Sequence, residues 1–341
     1  MPILGDRILA QRNISCVQPV KIPAADFDLA MTLASGQAFH WEKADEGFVG
    51  TILDLPIYIE EDGSMLKVHC GEAPQPAREA RALPSIVRNY FALDHPLAEI
   101  CASFPNDPVM NAAQEFCRGL RIIRQPKWEC LAMFICSSMK QVAHIRQISR
   151  KLRERFGERR RIGNYIVHTF PSAERFAAST ERELRECALG YRAKNLLATA
   201  RLVASGDVDL EKLAALTDVD LRARLCELPG VGAKVANCVM LFAYERLRAF
   251  PIDVWIERVL RERYFPRARR LNARRLEAFT QKYFGDHGGY AQQYLFHHAR
   301  KAGGRRAVGA KTGQRRKQQE ISPLRSNDKI RVCDNVLVLN S

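Results

Sequence analysis

Lys234 and Asp253 are the two residues whose types and spacing point most directly to chemistry. They lie nineteen positions apart in the run Leu228 to Asp253, LPGVGAKVANCVMLFAYERLRAFPID. A lysine just inside a helix opposes the positive end of the macrodipole, and a local rule broken in this way is more often found where function requires it. The same field favours the neutral amine, which is the nucleophilic form. Cys238 lies one turn on, at i+4, where it can contact the lysine stem. Asp253 follows Phe250-Pro251-Ile252 and precedes the amphipathic run Val254 to Phe265, so it is expected to cap a helix. A capping carboxylate held near an amine can also stabilise positive charge.

The elements that must hold these groups are local. Asp218 to Glu227 can form a short helix, and Val235, Cys238, Val239 and Phe242 recur at helical spacing as one apolar stripe. Between them stands Pro229-Gly230-Val231-Gly232, giving helix, hairpin, helix. Its glycines let the chain turn sharply. The backbone amides of Gly230, Val231 and Gly232, at the positive end of the second helix, form a candidate site for an anion such as a phosphate.

Composition narrows the partner independently. The net charge is +15; residues 301 to 341 contribute ten Lys or Arg against three acidic residues, or +7, which leaves +8 on the remainder. A positive surplus on the folded part favours a polyanion. With 47% apolar and 27% charged residues the chain reads as a water-soluble globular protein. Its ten cysteines include no C-x-x-C pair, which argues against a zinc ribbon or a disulfide framework and suits a reducing compartment. Neither a leader nor an apolar run of membrane-spanning length is evident, so the expectation is a cytoplasmic (bacterial nucleoid) or nuclear protein.

The expected fold class is α+β, a small N-terminal antiparallel sheet packed on a mainly helical body. Alternation at Phe48 to Ile52 and Ile57 to Glu60, with Asp62-Gly63 as a hairpin turn before Met65 to Val68, gives the sheet. From Leu83 onward helical periodicity dominates, over Cys130 to Cys136, Val142 to Phe156, Glu181 to Ala204 and Leu221 to Tyr244. The expected division is 1–120, 121–300 and a basic, disordered tail over 301–341.

These residues resemble the helix-hairpin-helix, Gly/Pro-rich loop and aspartate motif of the DNA base-excision glycosylases, in particular the 8-oxoguanine DNA glycosylase/lyase branch. Ser35-Gly36-Gln37-Ala38-Phe39-His40-Trp41, Phe134-Ile135-Cys136-Ser137-Ser138, Leu189-Gly190-Tyr191-Arg192-Ala193 and Gln292 to Phe296 are similar in kind and order, so that the resemblance covers roughly residues 20 to 300. It implies a bifunctional enzyme acting on double-stranded DNA with an oxidised purine, as a monomer and without cofactor or metal. Because a base within a duplex is out of reach, such an enzyme extrudes it into a pocket. The resemblance assigns Lys234 as nucleophile and Asp253 as stabiliser of charge on the sugar. Gly36 matches the position whose carbonyl reads the N7 hydrogen of 8-oxoguanine, Gln292 the amide that reads the Watson–Crick edge, and Cys238 and Phe296 the pair that sandwiches the base. The iron-sulfur loop of some relatives is missing, since only Cys333 follows Cys238.

Recognition of the opposite strand is where the chain departs from the pattern. Tyr191 and Arg192 match a wedge and a donor for the orphaned cytosine. The usual asparagine run after Cys-Ser-Ser is Met139-Lys140-Gln141, the arginine expected a few residues later is His144, and Trp255 replaces a common histidine. Met139 can wedge but cannot donate to cytosine. Two other readings remain open, a monofunctional glycosylase for alkylated bases, which would not need Lys234, and a non-catalytic DNA-holding module, which would not need Asp253. His297-His298 are expected at the surface, Arg159 to Arg161 as a solvated loop, and Trp41 and Trp128 as core aromatics.

Overall fold

The computed structural model describes residues 19–71, 76–268 and 270–301, without side chains over 76–81. The expected basic tail lies outside them, apart from residue 301. Five antiparallel strands form the N-terminal sheet: β1 (Val20–Pro23), β2 (Glu42–Ala44), β3 (Gly47–Ile52), β4 (Leu55–Asp62) and β5 (Met65–Cys70), in the order β1-β5-β4-β3-β2. Asp62 pairs with Met65, so the hairpin loop is Gly63-Ser64, one residue beyond the expected turn, with Gly63 supplying a φ of 61°. Helix α1 (Leu29–Ala34) links β1 to β2, and α2 (Pro76–Tyr90) follows β5. Leu83, Val87, Tyr90, Phe91 and Ile123 pack with Ile22, Ile57, Ile59, Leu66 and Val68 as one apolar core on the sheet.

The helical body runs through α3 (Leu97–Ala102), α4 (Pro108–Phe116), α5 (Lys127–Ser137) and α6 (Val142–Phe156). A hairpin of β6 (Arg159–Ile162) and β7 (Tyr165–His168) follows, then α7 (Ala173–Ala177), α8 (Glu181–Leu184), α9 (Arg192–Ala204), α10 (Asp218–Cys226), α11 (Ala233–Ala243), α12 (Val254–Val259), α13 (Ala273–Tyr283) and α14, which begins at residue 288. From Glu129 to Ser137 every residue of α5 is buried, as a helix at the centre of a body must be.

Three expectations require correction. Arg159–Arg161 is a strand, not a loop. Its partner strand brings Tyr165 onto Tyr58, ring centroids 6.1 Å apart, and Ile162 joins Ala44, Val49 and Tyr58 in a small core covering the second face of the sheet. The approach is so close that a Cβ on Gly71 would lie 2.2 Å from the Arg161 carbonyl oxygen. The periodic run Glu181 to Ala204 is broken: after α8 a π-helical turn over Arg185–Leu189 ends in Ala188 and Gly190, at φ 67° and 60°, before α9 starts. His297 is buried, at 1% exposure, rather than on the surface. Trp41 is in the core as expected, donating Nε1–H to the Tyr90 hydroxyl at 3.0 Å; Trp128 is half-buried and donates to the Pro171 carbonyl.

A buried triad of carboxylate, guanidinium and imidazole ties sheet to body. Glu129 on α5 pairs with Arg153 on α6 and with His40 Nδ1 at 3.2 Å, while Arg153 also donates to Thr51 Oγ1 at 3.0 Å and to the His168 carbonyl at 2.9 Å. Burial alone would push the Glu129 carboxyl up, but Arg153 and His40 hold it down at about 2. Because this acid is depressed in the fold, its contribution to stability is present above about pH 4.5 and is lost as pH falls towards 2. Arg153→Met, which strands the carboxylate, is expected to cost about 3–5 kcal/mol at neutral pH. In urea unfolding the gap between the two proteins should narrow between pH 7 and pH 3; a gap that stays constant would show that the charge is not its source.

Candidate functional site

The hairpin, α11 and α5 together position Lys234. Gly230 turns the chain at φ 83°, where a Cβ would meet the Asn195 side chain at 2.9 Å and Ile135 at 3.2 Å. Glycine is therefore required there both by conformation and by space. Gly232 is extended and exposed and caps α11 with its backbone, leaving the first amides of the helix open to an anion. Val231 differs from its neighbours: its side chain is in the core and its N–H closes the turn onto the Leu228 carbonyl at 3.0 Å. The candidate site for an anion is thus reduced to Gly230, Gly232 and the start of α11, with Val231 as the hairpin's apolar anchor.

Lys234 is the second residue of α11 and half-buried. Its Nζ donates to Ser137 Oγ at 3.2 Å, lies 5.1 Å from the centroid of the Phe134 ring, and contacts the Cys238 thiol. Ser137 in turn donates to the Phe134 carbonyl at 2.7 Å, which turns its lone pairs towards the amine. Phe134 is fixed by stacking on Phe242 at 5.5 Å and by the edge of Phe39 at 5.9 Å. Burial pushes the Cys238 thiol up to about 11, with Lys234 opposing, so the sulfur is an uncharged neighbour at neutral pH.

Asp253 caps α12 as expected, with Oδ1 accepting from the Ile256 N–H at 2.8 Å. Burial raises its carboxyl above the usual aspartate range, while the Ile256 N–H and the charge of Lys234 oppose the rise. Lys234, Cys238 and Asp253 are therefore close enough to feel one another's charge.

The pocket candidates converge from two ends of the chain. Gly36 turns at φ 90° directly after Ser35, whose carbonyl accepts from Gln293 Nε2 at 3.2 Å; that bond ties α14 to the Gly36 turn. Gln37 braces the turn from within, donating to the Arg121 carbonyl at 2.8 Å and accepting from the Ile123 N–H at 2.7 Å. Gln292 is 4% exposed, and its buried Oε1 has no hydrogen-bond partner, an acceptor held ready for a donor. Phe296 is half-buried against the main core.

Of the opposite-strand candidates, Met139 and Tyr191 project, at 93% and 57% exposure. His144 is exposed, and Trp255 is half-buried with the Arg258 guanidinium 5.5 Å from its ring. Arg192 is buried and turned towards main-chain carbonyls rather than solvent. Ser137 and Phe134 escaped notice as individual residues, because their contacts with Lys234 span about a hundred positions and leave no periodic trace. Among the described residues no group of three His, Cys, Asp or Glu is placed to hold a metal. A cleft of about 890 Å³ between Asp26–Asp28 and Gln114–Gly119 shares none of these residues. Its one thiol, Cys101, is pushed above the usual cysteine range by burial.

Comparison with known proteins gives the family. Residues 19–131 match the N-terminal domain of 8-oxoguanine DNA glycosylase, and residues 132–284 match the HhH-GPD superfamily of base excision DNA repair proteins. The chain is similar to the N-glycosylase/DNA lyase OGG1 of Arabidopsis thaliana, 32% identical over 297 residues, covering 82% of this chain and 79% of that protein. Among solved structures it resembles MBOgg1 in complex with a low-affinity DNA ligand (TM-score 0.78, 30% identity, 85% of this chain and 98% of that one). It also resembles the 8-oxoguanine glycosylase/lyase of Clostridium acetobutylicum in complex with double-stranded DNA containing cytosine opposite 8-oxoG (TM-score 0.77, 26% identity, 84% and 96%).

Proposed function

The chain belongs to the 8-oxoguanine branch of the HhH-GPD base-excision repair superfamily and is a bifunctional DNA glycosylase/AP lyase, and we propose that Lys234 and Asp253 carry its chemistry on 8-oxoguanine and related oxidised purines in duplex DNA. The observation that carries this reading is one constellation: a half-buried lysine amine on a serine hydroxyl, beside a thiol and a desolvated carboxylate. A carboxylate whose burial raises its proton affinity is suited to take the ammonium's proton. The amine then attacks the sugar C1′, the N-glycosidic bond breaks with its electron pair going to the departing base, which takes the proton from Asp253, and the carboxylate so regenerated stabilises the positive charge on the sugar. Ring opening leaves a Schiff base, which acidifies C2′; loss of that proton expels the 3′ phosphate by β-elimination. Every step uses an amine, a carboxylate or water.

Gly36, Gln292, Cys238 and Phe296 form the base pocket in this reading, and the amides of Gly230 and Gly232 with the start of α11 hold a backbone phosphate. Met139 fills the gap left by the extruded base, with Tyr191 beside it, and the protein acts as a monomer. Among the described residues no helix is long and apolar enough to cross a membrane.

The opposite-base pattern follows from the departures at Met139 and His144, neither of which is a bidentate donor. Losing such a donor removes about 1–3 kcal/mol of discrimination. Single-turnover excision of 8-oxoguanine opposite each of the four bases is therefore expected to agree within about tenfold. Cytosine favoured by more than a hundredfold would contradict this. Release of alkylated bases with 8-oxoguanine left intact would instead support the monofunctional alternative.

A further inference from the structure

Two large apolar side chains that project towards solvent, Met139 and Tyr191, stand beside one buried residue, which bonds the carbonyl just before Met139 and lies against the Tyr191 ring. Arg192 is only 5% exposed; its Nε donates to the Ser138 carbonyl at 2.8 Å, its Nη2 donates to the same oxygen, and its Nη1 donates to the Leu189 carbonyl at 3.3 Å. The guanidinium also lies 4.3 Å from the centroid of the Tyr191 ring. One cation thus grips the residue before Met139, the carbonyl two positions before Tyr191, and the face of Tyr191 itself.

The backbone around it needs such a grip. Met139, Ala188 and Gly190 have φ of 52°, 67° and 60°. For methionine and alanine the left-handed region costs on the order of 1 kcal/mol each and persists only where surrounding contacts enforce it. Local support on the Met139 side is slight, a Lys140 N–H to the Ser137 carbonyl at 3.1 Å. A planar fork of donors suits the remaining task, since it can chelate one carbonyl and still reach a second.

We propose that Arg192 is a positioning residue that preorganises Met139 and Tyr191 as a pair of wedges in the free protein, before any base is extruded. This rests on the glycosylase reading for what the wedges do, but not for how they are held. Of the five N–H groups of a guanidinium three are engaged here, so anchoring the wedges and donating to an orphaned base are separable roles.

Hydrogen exchange on the free, full-length protein tests the anchoring. In Arg192→Met the segment 138–141 is expected to exchange at least about tenfold faster, with protection in α5 and α11 unchanged, and Arg192→Lys is expected to fall between. Unchanged exchange at 138–141 overturns the proposal, and so does a loss of protection throughout α5 and α11, which would make Arg192 a general stabiliser. Single-turnover excision tests the consequence on two duplexes, 8-oxoguanine opposite cytosine and opposite an abasic-site analogue that offers no base to read. Arg192→Met is expected to lose about tenfold on both, and no more than about twofold when added to Met139→Ala. A loss confined to the cytosine duplex, or one that multiplies with Met139→Ala, would assign Arg192 to base reading alone. Should the native protein release no base from either duplex, the functional reading fails, and the exchange result still decides the anchoring.

Discussion

Lys234→Gln is expected to slow release of 8-oxoguanine by at least about a thousandfold in single-turnover assays and to abolish strand cleavage, with affinity for the damaged duplex changed by no more than about twofold. The amide is close in length to the amine and keeps an N–H for Ser137 Oγ, so the packing around Phe134 and Cys238 survives. What it lacks is a nucleophilic lone pair. A variant that still cleaves the strand at more than a few per cent of the native rate would show that another amine attacks C1′.

Asp253→Asn should cost about 10²–10³ in the rate of base release, the usual effect of removing one preorganised group that stabilises developing charge. Asparagine caps helices as well as aspartate does, so α12 should stay formed through the bond now made to the Ile256 N–H. The pH dependence has a definite sign. Burial raises the Asp253 carboxyl in the fold, so native activity should fall on acidification at a pH above the ordinary aspartate range, and the variant's residual activity should lack that limb. The stability effect runs the other way: an acid raised in the fold contributes stability only when protonated, below its unfolded value, and that contribution is lost as pH rises through the folded value. At neutral pH the ionised carboxylate is a burden on the fold, and Asp253→Asn should melt no lower than the native protein. A clear drop in Tm would mean that the carboxylate serves the helix rather than the sugar.

The contrast between Asp253 and Glu129 shows what a buried carboxylate is for. Glu129 is met by a guanidinium and an imidazole and is held at about 2, so it is ionised at working pH and binds the sheet to the body. Asp253 has only amides and a lysine that must give up its proton, and it stays raised. The first arrangement serves stability; the second leaves proton affinity available for chemistry.

Much of this was legible in the chain because its signals are local. Helix, hairpin and helix around Lys234 follow from glycine placement and a period of 3.6, and the Asp253 cap follows from a single residue before an apolar run. Strands β3 to β5 follow from alternation. The four residues of β1 are too few to show a period. The β6–β7 hairpin hides because three arginines begin it, and only the pairing of β6 with β7 and the packing of Ile162 on Tyr58 and Val49 reveal the strand. The break before α9 depends on Ala188 adopting φ 67°, a conformation that alanine does not advertise. Burial of His297 and the grip of Arg192 on Ser138 likewise arise from contacts between distant segments, which no local pattern encodes.

The most direct measurement is borohydride trapping of the native protein on a duplex with one 8-oxoguanine, followed by peptide mapping of the reduced adduct. The amine-nucleophile account requires a covalent complex whose sugar remnant is on Lys234. An adduct on a different amine, or base release with no adduct at all, would contradict it.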